Sequence, residues 1–321
     1  MQIGAFEQKL LRAIERRRGL PGIEDGATDA YRIVDGDGDE LPGISIDTFG
    51  GHWLVQTKEV PFPHALRRAV LPMLPMLPML PMGCRSIWWK KVTHQDRSEP
   101  EWIAGARDFE VTAMENGLRF LIDFSSGYSQ GIFLDQRENR LWVRNKGTPS
   151  LRVLNLFAYT GAFSVAAAAS GAATTSVDLS SRYLKWSREN FKLNGIDCGE
   201  GSAHRFFAWD AFEFLERAVR RGERYDLVIN DPPTFSRNKK GKVFRVQDDY
   251  GTLVENGVRV LAEDGILHTS TNYGGFDRRK LDEIVRRAVV RAGRSVKSLE
   301  YPDMPCDFTG DPYLIACRLA V

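Results

Sequence analysis

Apolar and polar positions follow two rhythms along this chain, and the order in which they succeed one another predicts its layout. Residues 6–18 read as a short helix with a basic end, Arg16-Arg17-Arg18, stopped by Gly19 and Pro21. From residue 28 the pattern turns to short strands at 31–34, 44–47 and 53–56, separated by an aspartate-glycine loop and the Gly50-Gly51 turn. A further strand at 86–92 leads to the end of a small α+β domain over 28–105, with 1–27 as N-terminal helix and linker. Residues 109–112 and 118–122 flank Glu115-Asn116-Gly117, whose Asn-Gly pair predicts a hairpin. Strands at 152–157, 174–178, 204–209, 227–230 and 265–270 then alternate with helices at 163–170, 181–193, 211–221, 248–261 and 277–292. A last pair of strands lies near 297–301 and 313–319. This repeated β-α-β order implies an α/β fold over 106–321, with a mostly parallel sheet covered on both faces.

Some local patterns narrow the picture. Residues 71–82 are four copies of Leu-Pro-Met; proline at every third position forbids a regular helix and removes ladder donors, so an extended connector is expected. Asp35, Asp37 and Asp39 alternate with glycine, but the spacing is not that of an EF-hand and a turn is the plainer reading. The arginines 16–18 suit either a solvated helix face or an arm that touches RNA.

Composition excludes more than it identifies. With 44 basic against 42 acidic residues, no global field marks a nucleic-acid coat protein, and any basic surface must be local. Cys84, Cys198, Cys306 and Cys317 lie far apart with no C-x-x-C pair, so neither a zinc site nor a disulfide scaffold is expected. No metal is called for. Glu7, Gln8 and Lys9 interrupt the stretch where a signal peptide would need apolar residues, and no run reaches the roughly 20 apolar residues of a membrane span. A cytoplasmic location is the expectation.

In sheets of this kind ligands bind beyond the carboxyl ends of the strands, so the residues standing there are the informative ones. After the first strand of the alternating region comes Asn155-Leu156-Phe157-Ala158-Tyr159-Thr160-Gly161-Ala162-Phe163, with small residues at Ala158, Gly161 and Ala162. One true glycine makes a poor pyrophosphate cradle, and an amino acid joined to a nucleoside suits the turn better. Asp178, followed by Leu179 and Ser180, ends the second strand about 17 residues after Gly161, where a carboxylate can accept from ribose hydroxyls. Asp210, followed by Ala211, ends the third beside Trp209 and can accept from an adenine amine. Both aspartates also precede helices, and capping is the alternative for each. The fourth strand ends in Asn230-Asp231-Pro232-Pro233-Thr234-Phe235.

On these residues the chain resembles a known family. The 155–163 segment looks like motif I, and Asp231-Pro232-Pro233 like motif IV, of class I S-adenosylmethionine-dependent methyltransferases. The run Gly131-Ile132-Phe133-Leu134-Asp135-Gln136-Arg137-Glu138-Asn139-Arg140 is similar to a signature of the bacterial 23S ribosomal RNA methyltransferases I and K/L. Asp231 to Ser236 is closer to the K/L members, and residues 32–56 resemble the small domain of methyltransferase I. The likeness implies a Rossmann-like seven-stranded domain with an antiparallel last strand, S-adenosylmethionine as cofactor, and RNA as substrate. It further implies a cofactor site of Asn155, Phe157, Ala158, Thr160, Gly161, Ala162, Asp178, Leu179, Ser180, Asp210, Ala211 and Asp231. Gln130, Phe133 and Arg137 would close over the methionine part, Arg137 facing its carboxylate; a surface ion pair is the alternative for Arg137. Two departures stand out. Only some 27 residues precede the small domain, so the PUA module of methyltransferase I is not expected. Thr271 also stands where cytosine-C5 members carry their cysteine.

That threonine steers the chemistry. Carbon 5 of cytosine becomes nucleophilic only after a thiolate adds to the ring, so cytosine-C5 methylation would need Cys198 or Cys306 at the site. A base nitrogen already has a lone pair; it needs positioning and acceptors for its hydrogens, which Asp231 and the carbonyls of Pro232 or Pro233 can supply. Phe235 can stack on an extruded base or pack beneath its loop. The acid-free run with Arg237, Lys239, Lys240, Lys242 and Arg245 can hold phosphates or simply be solvated. Methylation of a protein or small molecule, and a non-catalytic RNA-binding role, are the other readings.

Overall fold

The computed structural model describes residues 4–58, 83–92, 98–127, 129–237, 241 and 243–321. The Leu-Pro-Met run, Lys239, Lys240 and Lys242 lie outside them. The chain divides into two compact units, Met1–Arg137 with Pro305–Asp311, and Glu138–Met304 with Pro312–Val321.

In the first unit, strands β1 (Ala30–Asp35), β2 (Ile44–Phe49), β3 (His52–Lys58), β4 (Ser86–Val92) and β5 (Glu101–Gly105) form one sheet in that order, parallel only between β3 and β4. Helix α1 (Ala5–Arg18) is part of this unit, not a preceding segment. Its Leu10, Ala13 and Ile14 share a buried core with Tyr31, Ile33, Ile46, Trp53 and Val55. The hairpin of β6 (Glu110–Glu115) and β7 (Leu118–Asp123) belongs here too, so contacts divide the chain at residue 137 where the sequence suggested about 105. Backbone bonds explain the difference: Asp29 N donates to the Met114 carbonyl at 2.8 Å and Gly117 N to that of Ala27 at 2.7 Å. Phe124, just past β7, stacks on Trp88 with centroids 4.9 Å apart.

Of the three arginines that close α1, Arg16 and Arg18 are exposed, but Arg17 is not part of a solvated face. Arg17 is fully buried, its Nη1 and Nη2 donating to the two oxygens of Asp39 at 2.6 and 2.7 Å, and Nη2 also to the Asp307 carbonyl at 2.6 Å. Arg16 reaches the same carboxylate at 2.9 Å, and Arg18 pairs with Glu15. The aspartate-glycine loop is thus a short 3-10 turn, Gly36–Asp39, built to receive an arginine. A second buried pair repeats the device: Arg137 donates from Nη1 and Nη2 to both oxygens of Asp307, at 3.0 and 2.7 Å.

The second unit holds seven strands in the order β10-β9-β8-β11-β14-β16-β15. They are β8 (Arg152–Leu156), β9 (Ala173–Val177), β10 (His204–Phe207), β11 (Tyr225–Asn230), β14 (Leu261–Thr271), β15 (Ser298–Glu300) and β16 (Ile315–Ala320). The first five are parallel where they pair, and β16 runs antiparallel to both neighbours. This is the Rossmann-like arrangement expected, with the order reversing at β8. Helices α2 (Arg137–Lys146), α3 (Ala162–Ala168), α4 (Ser181–Leu193), α5 (Ala211–Arg220), α6 (Val246–Arg259) and α7 (Arg278–Arg291) accompany the sheet. Every residue of α3 is buried, its alanines letting it lie close to β8 and β9. Two features were not read from the sequence: α2, whose apolar residues are outnumbered by charges, and a small hairpin of β12 (Phe235–Arg237) and β13 (Val243–Arg245). No helix among the described residues is long and apolar enough to cross a membrane.

The Arg17–Asp39 pair yields a stability prediction. Burial pushes the Asp39 carboxyl up, but the hydrogen bonds and charge of Arg17, with the Asp35 backbone N–H and Thr309, together outweigh it and hold the group below the ordinary aspartate value. A carboxyl depressed by folding contributes stability that is complete above its unfolded value and is lost as pH falls through its folded value. Asp39→Asn strands a buried guanidinium and is expected to cost about 3–5 kcal/mol in urea unfolding at neutral pH. Arg16→Ala removes only a half-exposed partner and is expected to cost about 1 kcal/mol or less.

Candidate active site

The carboxyl end of β8 turns under unusual constraint. Phe157 and Tyr159 take φ of 55° and 50°, and Gly161 takes 74°. A Cβ on Gly161 would lie 1.9 Å from Ser187 Oγ, so glycine is demanded both by its φ and by its contact with α4. Beneath the turn, Asn155 Nδ2 donates to Ser164 Oγ at 2.9 Å, and Ser164 bonds Ser176 at 2.8 Å. The Thr160 carbonyl accepts from Asn190 Nδ2 at 2.9 Å. Asn155, Thr160, Ala158 and Ala162 are buried, so these four members of the expected cofactor set build the turn from within.

Asp178 follows β9 and ties the neighbouring strand end to this turn. Its Oδ2 accepts from Tyr159 N at 2.9 Å and its Oδ1 from Ser180 N at 2.8 Å. Burial raises its pKa, against the pull of those two backbone donors. Asp210, after β10, caps α5 by accepting from Phe212 N at 3.0 Å and Glu213 N at 3.3 Å. Ser180 likewise caps α4 through Tyr183 N at 3.3 Å. The capping reading holds for Asp210, and it also aims the residue, because both aspartates line the same cleft.

That cleft is shallow and partly open, and the ends of three neighbouring strands share it. Phe157, Val177, Asp178 and Leu179 line it from the β8 and β9 ends, and Trp209, Asp210, Ala211 and Phe212 from the β10 end. Ser236 and Phe244 complete it from the β12–β13 hairpin. Phe244 is buried, with ring centroids 5.8 Å from Phe157 and 5.9 Å from Phe212. Sequence reasoning took this stretch for a basic loop; the one aromatic at the centre of Val243-Phe244-Arg245 was the available sign of a buried face. Two acceptors at the rim and aromatic walls suit a ribose and a flat heterocycle, so the residues fit a nucleoside.

Asp231 follows β11, on the far side of β8 from Asp178, which puts their strands two spacings, roughly 10 Å, apart. Its Oδ1 accepts from Ser270 Oγ at 2.6 Å. Pro232 is buried and Pro233 partly so, while Phe235 is 50% exposed on the edge of the small hairpin. Arg245 and Arg237 are exposed, and Phe235 and Arg245 are direct cross-strand partners.

Other expected residues fall elsewhere. Arg137 is 2% exposed and bound by Asp307, so its guanidinium serves the fold of the first unit instead of a ligand carboxylate. Nor is it the surface ion pair of the alternative reading. In that same unit Gln130 is buried, its amide donating to the Ser126 carbonyl at 3.1 Å, and Phe133 is 41% exposed before the 3-10 turn Leu134–Gln136. Thr271 ends β14, buried, its hydroxyl accepting from Tyr273 N at 3.2 Å. Cys198 lies between α4 and β10, at the amino edge of the sheet opposite Asp231, buried and bonded to the Arg188 carbonyl. Cys306 is exposed in the first unit.

Known proteins share this arrangement. Residues 37–312 match the model of a family described as S-adenosylmethionine-dependent methyltransferase. A ribosomal RNA large subunit methyltransferase of Deinococcus radiodurans is 34% identical over 328 residues, which cover 96% of this chain and 76% of the relative. Ribosomal RNA large subunit methyltransferase K of Neisseria meningitidis is 39% identical over 203 residues, 63% of this chain and 53% of the relative. This chain therefore aligns with only about half of that second protein. The crystal structure of SMU.776 complexed with SAH superposes with a TM-score of 0.84 at 28% identity, covering 100% of this chain and 82% of that one. The chain, with its cleft lined from the ends of β8, β9 and β10, belongs to the S-adenosylmethionine-dependent methyltransferases.

Proposed function

We propose that the enzyme methylates a base nitrogen in RNA of the large ribosomal subunit. The observation that carries this reading is the Asp231-Pro232-Pro233 loop at the end of β11, facing a β14 end that has Thr271 in place of a thiol. The relatives named above act, by their names, on the same class of RNA. When bound, S-adenosylmethionine supplies an electrophilic methyl group on a sulfonium.

The protein's own share is binding and orientation. Asp178 accepts from the ribose hydroxyls, Asp210 from the adenine amine, and Phe157, Leu179, Ala211 and Phe244 exclude water from the ring. Asp231, with the carbonyl oxygens that the prolines hold in place, accepts the hydrogens of the target amine and directs its lone pair. Phe235 offers a stacking face to an extruded base, and Arg237 and Arg245 offer charge to phosphates. In sequence Lys239, Lys240 and Lys242 extend that charge. Of the two thiols that the cytosine-C5 alternative could use, Cys198 stands at the wrong edge of the sheet, and the Cys306 variant below tests the other.

Asp178 gives the first test. Asp178→Asn is expected to weaken cofactor binding tenfold to hundredfold, roughly the loss of a charged hydrogen bond, by calorimetry at neutral pH. Because burial raises its pKa, wild-type affinity should fall with decreasing pH sooner than an ordinary aspartate would allow, while the asparagine variant stays flat. The stability of the free protein should move the other way. A carboxyl raised by folding favours the folded state at low pH, and that share is lost as pH rises through the window between its unfolded and folded values.

The second test is label transfer. Tritiated methyl from the cofactor should enter in vitro transcribed large-subunit ribosomal RNA, be released by RNase, and appear in a nitrogen-methylated nucleoside. Cys198→Ser and Cys306→Ser should retain the rate. Label released by protease alone, or a 5-methylcytidine product, would refute the proposal.

A further inference from the structure

We infer that Ser270 is the residue that positions Asp231, and so sets the rate of methyl transfer without touching the substrate; the inference rests on the proposed role of Asp231 as acceptor. Ser270 lies in β14 one residue before its end, fully buried and paired across the ladder with Ala316 of β16. Its hydroxyl donates to Asp231 Oδ1 at 2.6 Å, the length of a hydrogen bond to a carboxylate. A strand buried between two neighbours offers a donor whose position is fixed, whereas Asp231 sits on the loop that leaves β11.

The donor is itself braced. Tyr250 of α6, fully buried, donates its hydroxyl to the Ser270 carbonyl at 3.1 Å and bonds Thr269 Oγ1 at 2.7 Å. Asn230, the residue before Asp231, donates from Nδ2 to the same Thr269 oxygen at 3.3 Å, and the two residues face each other across the β11–β14 ladder. One helix and two strands therefore meet beneath the Asp-Pro-Pro loop, and Ser270 carries that bracing to the carboxylate. Pro232 restricts the backbone on one side of Asp231; the serine fixes its side chain. A carboxylate released from this bond samples rotamers that do not face the acceptor amine, and small misplacement at a reacting centre is costly.

The expected signature separates positioning from folding. Ser270→Ala should lower kcat roughly tenfold or more on in vitro transcribed large-subunit RNA, with KM, cofactor affinity by calorimetry and thermal midpoint close to wild type. Ser270→Thr, which keeps the hydroxyl, should restore most of the rate. In an Asp231→Ala background Ser270→Ala should cost nothing further, because a residue acting through another has no effect once that other is gone. An unchanged kcat in Ser270→Ala, or an equal loss in both backgrounds, would overturn the inference. Full activity in Asp231→Ala alone would instead sink the reading of Asp231, and with it this one. A second readout needs no turnover: the carboxyl carbon of Asp231, followed by 13C NMR, should titrate at higher pH in Ser270→Ala than in wild type, since the lost donor favoured the ionised form. Superimposable titrations would overturn the inference even if the RNA substrate proved to be wrong.

Discussion

The hydrogen bond from Tyr159 N to Asp178 is the contact on which the site depends. Between β8 and α3 the chain enters the left-handed region at Phe157, Tyr159 and Gly161, and for the two non-glycine residues that conformation costs on the order of 1–3 kcal/mol each. The turn persists because its surroundings over-determine it: Asp178 grips it from β9, Asn190 from α4, and Ser187 leaves no room for a side chain at Gly161. Asp178 thereby joins two jobs. It fixes the turn with its backbone bonds and presents a desolvated carboxylate to the cleft, so the geometry of the cofactor site and the integrity of the turn cannot be separated.

The β12–β13 hairpin shows the same economy in a smaller element. Antiparallel partners point to one side, so Ser236 and Phe244 face the cleft while Phe235 and Arg245 face away from it. Alternation with a period of two gives three residues per strand two unrelated surfaces, one apolar and one charged. A stretch that composition marks simply as basic is therefore also a wall of the nucleoside cleft.

In the first unit, charge is used as internal scaffolding. Arg17 and Arg137 are both buried and both end on aspartates, and Asp307 takes part in each arrangement through its carbonyl or its carboxylate while accepting from Arg32 N at 2.8 Å. Guanidinium geometry makes this workable, since two parallel donors satisfy both oxygens of one carboxylate. The segment Pro305–Asp311, remote in sequence, is thereby built into the unit formed by the first 137 residues.

Much of this was legible in the chain itself. The alternation of strands and helices after residue 150, the small residues at 158–162, and aspartates after three successive strands are local signals. They predicted the α/β class and the strand ends that matter, because side-chain periodicity and turn chemistry act over a few residues; the antiparallel last strand was implied by the family resemblance alone. What tertiary structure decided was the partner of each charge. Nothing near Arg17 or Arg137 in sequence announces Asp39 or Asp307, so the first was read as solvated or touching RNA and the second as a ligand clamp or a surface ion pair. Nothing near Asp231 announces Ser270, 39 positions away. Local pattern determines which segments become strand or helix; an ion pair or a hydrogen bond is decided by which segments the fold brings within 3 Å, and that distance is not written along the chain.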